Sequence, residues 1–238
     1  MNNTIVDVLA IGAHPDDIEL CCAGTLLRLQ DLGYKIGIVD ATRGEKGTRG
    51  TAEGRALEAQ KALEIMGFEF RENLDLGDQQ VQDTPDRRVK IVECIRRHKP
   101  KLVFTHHPVD RHPDHEGIGT LVKHAMFLSG AASFEAQGEI HVPHRLIYWM
   151  ASWVHEPNFY VDITAYNDRK IEAAKMHGSQ FYNPNSDEPP TSISNADFWE
   201  KHDIRHRWFG QQINVKYAEG FYVREKFKVD DPVNFFTS

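Results

Sequence analysis

The sequence predicts an α/β fold with a mainly parallel sheet and helices on both of its faces. Three observations carry this. Short apolar runs recur along the first half of the chain, stretches with helical periodicity separate them, and the two kinds alternate strictly. Parallel neighbours need crossover connections, and helices supply them.

The first run, Val6-Asp-Val-Leu-Ala-Ile-Gly-Ala13, is nearly continuous in apolar residues, as a strand buried on both faces should be. Ile18, Cys22, Leu26 and Leu29 then recur at helical spacing, which predicts one helix over 18–32, stopped by Gly33. Residues 35–42 read as the second strand. Residues 43–51 carry Gly44, Gly47 and Gly50 and read as a mobile loop. Ala52, Ala56, Ala59, Leu63 and Met66 form one helical stripe closed by Gly67. Residues 68–76 are a weaker strand. A helix follows from Pro85 or Asp86 to His98, then a strand over 102–105 and a helix over 116–129. Beyond Gly130 the alternation loosens, with strands expected at 145–150, 159–163 and 220–227, helices at 166–177 and 195–209, and a loop at 183–194. One domain over 1–238 is expected, with an α/β core in 1–130 and a C-terminal extension in 131–238 packed on it.

The chain has 238 residues, with 28 Lys plus Arg against 35 Asp plus Glu, a net charge of −7. The acidic balance argues against a nucleic-acid binder, yet leaves room for a local basic pocket. No apolar run reaches the roughly 20 residues of a membrane span. Residues 1–5 carry no positive charge, and Asp7 interrupts the apolar stretch that follows, so no signal peptide is expected. Cys21, Cys22 and Cys94 read as free thiols in a reducing cytoplasm. No GxGxxG follows the first strand, and neither a P-loop nor a GxSxG elbow occurs.

Chemistry gathers after two strands. Ala13-His14-Pro15-Asp16-Asp17 follows the first, and Asp110-Arg111-His112-Pro113-Asp114-His115 follows the strand over 102–105. Taken alone, the first string could be a helix cap and the second a polar loop. Together, at strand ends that a sheet wound from its centre can bring side by side, they offer His14, Asp17 and His115 to one cation. Two imidazoles and one carboxylate suit zinc with a position open for water, and ferrous iron accepts the same set. Asp16 is then free to take a proton from that water. Asp114 can orient His112 and favour its charged form, which would stabilise an oxyanion and protonate a leaving amine. Arg55 and Arg111 can hold an anionic substrate group, and Glu45 a sugar hydroxyl. His106 and His107 follow the strand directly and read as groups supporting the ligands or, in preference, as packed histidines. His141, His144, His155, His202 and His206 show no partner pattern.

With these residues in view, the chain resembles the LmbE-like, or PIG-L, deacetylases. The likeness extends to Gly24-Thr-Leu26, residues 42–45, Arg55 with Glu58-Ala59, Ser179-Gln-Phe181 and Tyr217-Ala-Glu-Gly-Phe221. Cys21-Cys22-Ala23 replaces the glycine-rich stretch common before the GTL segment. The resemblance implies a Rossmann-like three-layer sandwich and a zinc-dependent N-deacetylase of N-acetylglucosamine conjugates. It implies His14, Asp17 and His115 as ligands, Asp16 as base, His112 polarised by Asp114, and Arg55 as a substrate contact. The last segment most resembles the branch acting on N-acetylglucosaminyl-malate in bacillithiol biosynthesis; diacetylchitobiose is the alternative substrate. A homo-oligomer is also implied, a hexamer being one form, with Trp199, Trp208 and Phe209 as surface or core.

Overall fold

In the computed structural model, residues 3–153 and 156–237 are described; His155 lies outside them. Four strands from the first half, β1 (Val8–Gly12), β2 (Ile36–Asp40), β3 (Phe70–Asn73) and β4 (Leu102–His106), pair in parallel in the order β3-β2-β1-β4. Chain order therefore reverses between β1 and β4. Their C-terminal ends flank the crevice where ligands of open α/β sheets bind.

Helices cover both faces of the sheet, because successive side chains of a strand point to opposite sides and β1 is buried along its whole length. Leu9 and Ile11 of β1 pack with α4 (Pro85–His98) and α5 (Pro113–Leu128). Val8 and Ala10 face the other way. They pack with α1 (Asp17–Cys21), α2 (Ala23–Asp31), α3 (Ala52–Met66) and α6 (Asn167–Lys175). The layers are helix, sheet, helix.

Residues 131–238, expected as an extension packed on the core, instead complete the same sheet. They supply β5 (Arg145–Trp149), β6 (Phe159–Asp162) and β7 (Ala218–Tyr222), so the seven-stranded order is β3-β2-β1-β4-β5-β7-β6. β5 runs parallel to β4, whereas β7 is antiparallel to both β5 and β6. The same segment carries α7 (Phe198–Gln212) and α8 (Pro232–Thr237). Phe209 is buried on α7, and Trp208 is exposed.

Two departures from the expected elements shape the site. The helix expected over 18–32 is two helices, broken at Cys22 with φ −144° and ψ 2°. The cause lies far along the chain. Glu219 of β7 accepts hydrogen bonds from the Gly24 and Thr25 amides at 3.1 and 2.7 Å, giving α2 its own N-terminal anchor. The helix expected over 116–129 starts earlier, at Pro113. Pro113 has the fixed φ that suits a first helical turn, and the His112 ring accepts from the Asp114 amide at 3.2 Å in place of an ordinary cap residue. Gly119 permits the close docking of α5. A Cβ there would fall 2.5 Å from the His106 carbonyl oxygen at the end of β4.

Behind the site, charged groups tie the layers together. Arg71 of β3 bonds Asp40 through Nε at 2.6 Å and Glu19 of α1 through Nη1 at 2.5 Å, holding α1 on the sheet. Lys170 of α6 reaches Glu219 at 2.5 Å and His206 Nε2 at 2.8 Å, with both charged groups buried. Glu219→Ala strands the Lys170 ammonium and removes the anchor of α2. The expected loss is about 3–5 kcal/mol of stability, read from urea unfolding.

Candidate metal centre and active site

The structure brings both strand-end motifs together. Asp17, the first residue of α1, turns its carboxylate back toward β1. Its Oδ2 accepts from the Ala13 and His14 amides at 3.0 and 2.8 Å and lies 2.9 Å from His106 Nε2. Its Oδ1 faces His115 Nε2 at 3.3 Å. His14 Nδ1 stands 3.5 Å from Asp17 Oδ2. His14, Asp17 and His115 thus place three donor atoms within 4.8 Å of one another.

Each imidazole is held from its far side. His115 Nδ1 bonds Asp110 Oδ1 at 3.0 Å. His14 Nε2 stands 3.3 Å from both Asp78 and Asp114. A carboxylate on the far nitrogen fixes the ring and leaves the near nitrogen to bind a cation. His106 is bonded to the Asp17 carboxylate. Trp149 Nε1 donates to its Nδ1 at 3.2 Å, so Nε2 carries the proton and donates to Asp17. Burial, with His115 beside it, pulls His106 down to about 4, which keeps it neutral.

The electrostatics ask for positive charge at this point. Burial opposes a charge on His14, yet Asp114, Asp17 and Asp78 outweigh it and hold His14 well above the usual histidine range. Burial likewise opposes a charge on His115, but Asp17 and Asp110 carry it up to about 9. A divalent cation satisfies the same four carboxylates in place of protons, and its binding would release them. The residues therefore fit a cation. Glu72, Cys94 and His98 also converge, but there the Arg97 guanidinium already sits on Glu72 at 2.5 Å and on His98 at 3.3 Å.

Asp16 sits beside the cluster in a rare backbone state, φ 121° and ψ −27°. Such a conformation costs of order 1–3 kcal/mol and persists only where surroundings impose it. The Asp16 side chain caps no helix amide, so the helix-cap reading of this string does not hold. Burial pushes its carboxyl up to about 6, against the opposing charge of Arg55.

Other expected roles change. The carboxylate of Asp114 does not orient His112. It accepts from the Gln79 and Val81 amides at 2.7 and 3.0 Å and faces His14. His112 Nδ1 is occupied by the Asp114 amide, which leaves Nε2 to carry its proton. Burial and the neighbouring His14 and His115 lower His112 rather than charging it. Glu45 bonds the Asp78 and Arg43 amides at 2.8 and 3.2 Å and does not line the cavity. Arg55 is buried, with its guanidinium against the Pro15 carbonyl, and it also lines the cavity beside Asp16. Nor is the glycine-rich loop loose: Arg49 within it is buried and donates to the Ser179 carbonyl at 3.2 Å.

Asp78, Asp110 and His106 are site residues that sequence reasoning did not assign. The Asp110 signal was present, since it opens the second motif. Nothing local marks Asp78, which a loop after β3 delivers. His202 and His206 do have partners: His202 bonds the Leu20 carbonyl and lines the cavity, and His206 meets Lys170.

The cluster opens into a cavity of about 570 Å³. Its floor is His14, Asp16, Asp17, His112 and His115, and its wall includes Arg111, Ser192, Lys201 and Arg205. Arg111 Nη2 donates to Ser192 at 3.2 Å, and Arg205 to the Ala151 carbonyl at 2.6 Å. No helix of the described residues is long and apolar enough to cross a membrane.

A proton acceptor and a cation site at the floor of a cavity of this size suit hydrolysis of a small molecule. Comparison with known proteins narrows the class. The family model PIG-L, described as GlcNAc-PI de-N-acetylase, matches residues 9–126. The chain is 30% identical over 234 residues to the diacetylchitobiose deacetylase of Thermococcus kodakarensis, covering 92% of this chain and 83% of that one. It is 26% identical over 197 residues to the probable N-acetyl-alpha-D-glucosaminyl L-malate deacetylase 2 of Bacillus anthracis, covering 73% and 81%. A conserved protein of Thermus thermophilus, TT1542, has the same fold, with TM-score 0.86 and 34% identity over 95% of this chain and 98% of that one. The chain belongs to the PIG-L, LmbE-like family of deacetylases.

Proposed function

We propose that this chain removes the N-acetyl group of N-acetylglucosaminyl-malate, giving glucosaminyl-malate and acetate. The broader reading, a deacetylase of N-acetylglucosamine conjugates, is supported by the family and by both relatives. The observation that supports the malate conjugate is the cavity wall. Arg111, Lys201 and Arg205 line the cavity together with Arg55, in a chain of net charge −7. Cations placed there suit an aglycone that carries carboxylates.

His14, Asp17 and His115 would hold the cation, zinc with ferrous iron as the other choice. When bound, it would polarise the amide carbonyl and lower the pKa of a water. Asp16 accepts the proton that this water loses as its oxygen bonds to the carbonyl carbon. His112 donates through Nε2 to the carbonyl oxygen as negative charge builds there. The C–N bond breaks, and Asp16 returns its proton to the departing amine. His106, Asp110, Asp78 and Asp114 keep the ligand side chains aimed.

A second reading, deacetylation of N,N′-diacetylchitobiose, is favoured by the 30% relative. Acetate release from both substrates and from free N-acetylglucosamine, with metal-loaded protein, separates the two. The expected result is a kcat/KM at least about tenfold higher for the malate conjugate. A preference for diacetylchitobiose would move the substrate and keep the chemistry, whereas no release from any of the three would overturn the deacetylase reading.

A further inference from the structure

We propose that the groove between α6 and α7 is a second binding site, for an amino sugar whose amine is free. That this ligand is also the kind of product the enzyme makes rests on the deacetylase reading. The chemistry of the groove does not.

The groove encloses about 480 Å³, room for a sugar ring and more than a bare ion fills. It lies back to back with the catalytic cavity, and α7 is the partition. Phe198, Lys201 and Arg205 line the cavity, Trp199 and Asp203 line the groove, and His202 lines both.

The charges of the groove ask for a cation. Asp168 and Glu172 lie four residues apart on α6, hence on one face, and both line it. Like charges so placed repel. Neither carboxylate has a hydrogen bond or an ion pair among the described residues. The third carboxylate, Asp203, is already bonded by Arg207 Nε at 2.6 Å. Lys175, which also lines the groove, stands over the Trp199 ring, 5.5 Å from its centroid, and not against a carboxylate. The indole face thus draws in positive charge, while Asp168 and Glu172 are left for an ammonium from outside.

The other polar groups suit hydroxyls. Asn167 is only 7% exposed, yet its carboxamide has no hydrogen-bond partner among the described residues. It lines the groove, where an occupant would satisfy its donor and its acceptor together. Burial and then the Lys170 ammonium pull His202 down to about 3, so its ring is neutral. Its Nε2 donates to the Leu20 carbonyl at 3.0 Å, which leaves Nδ1 as an acceptor. The indole offers an apolar face to a sugar ring. Carboxylates for an ammonium, an amide and an imidazole for hydroxyls, and an indole for the ring together specify an amino sugar. An N-acetyl sugar carries no charge for Asp168 and Glu172, so the site favours the deacetylated form.

The test titrates D-glucosamine, held below the pKa of its amine, into zinc-loaded protein. Heteronuclear NMR follows the Trp199 indole N–H, assigned with Trp199→Phe, so that binding in the groove is read apart from binding in the catalytic cavity. The signal should shift and saturate with a Kd of about a millimolar or below. N-Acetylglucosamine, which lacks the charge, and ethylamine, which lacks the ring and hydroxyls, should each bind there at least about tenfold more weakly. Asp168→Asn combined with Glu172→Gln, both exposed positions, should weaken glucosamine at least about tenfold and leave kcat/KM for deacetylation within about twofold. Asn167→Ala should weaken glucosamine and leave ethylamine unchanged.

A Trp199 signal that stays still, or that responds equally to N-acetylglucosamine, would overturn the site. So would glucosamine binding that the double carboxylate variant leaves intact. Equal affinity for ethylamine would make the groove a trap for charge alone and overturn the sugar class. Binding is read without turnover, so an absence of acetate release would count against the deacetylase reading alone.

Discussion

Asp16→Asn should lower kcat by about 10²–10⁴-fold while the protein keeps its metal and its fold. The argument is one of shape against charge. Asparagine has the size of aspartate and tolerates positive φ as readily, so the strained turn before α1 survives. What it loses is the oxygen that accepts a proton. The Asp16 carboxylate accepts from no helix amide, so the substitution removes no cap. Steady-state kinetics with metal content and circular dichroism read the outcome. A variant within a fewfold of wild-type kcat would exclude Asp16 as base.

The second large effect is the loss of the ion itself. His115→Ala should leave almost no metal after dialysis and no measurable acetate release. Two donors of the three remain, and they face a cluster whose carboxylates then turn to protons or solvent. Asp110→Asn provides the graded comparison. It keeps all three ligands but weakens the group that holds His115 Nδ1 at 3.0 Å, so affinity should fall about 10–100-fold rather than vanish. Metal stoichiometry against a competing chelator distinguishes the two variants. Full metal content in His115→Ala would strike it from the ligands.

The sequence showed the first-half elements clearly because each is local. The stripe from Ala52 to Met66 with Gly67 behind it gave α3 with the observed ends. The convergence of His14, Asp17 and His115 was equally legible, because adjacent parallel strands deliver their C-terminal ends to one place. What stayed hidden depends on distant partners. The break at Cys22 answers to Glu219, and no periodicity near Cys22 records it. The start of α5 was read three residues late because a histidine ring is an unusual cap. Asp114, two residues after His112, suggested a pair. Residues two apart at a helix start do not face each other, and the carboxylate found His14 and the Gln79 and Val81 amides instead. Glu45 similarly turned inward to the Asp78 amide.

The place of β7 between β5 and β6 has a consequence for how the chain becomes an enzyme. β6 pairs with β7 and with no other strand of the described residues. Until β7 arrives, β6 has no ladder to join, and the outer edge of β5 stands open. The segment between them in sequence carries Ser192, Lys201 and Arg205, the cationic side of the cavity. It is tethered at both ends only once β7 has slid into its slot. Glu219, on that same strand, anchors α2 from the same moment. Non-local pairing of this kind is slow, because a long loop must close before any contact rewards it. The four-strand core with its ligand motifs can form early during synthesis, but the surface that would choose a substrate is assembled last.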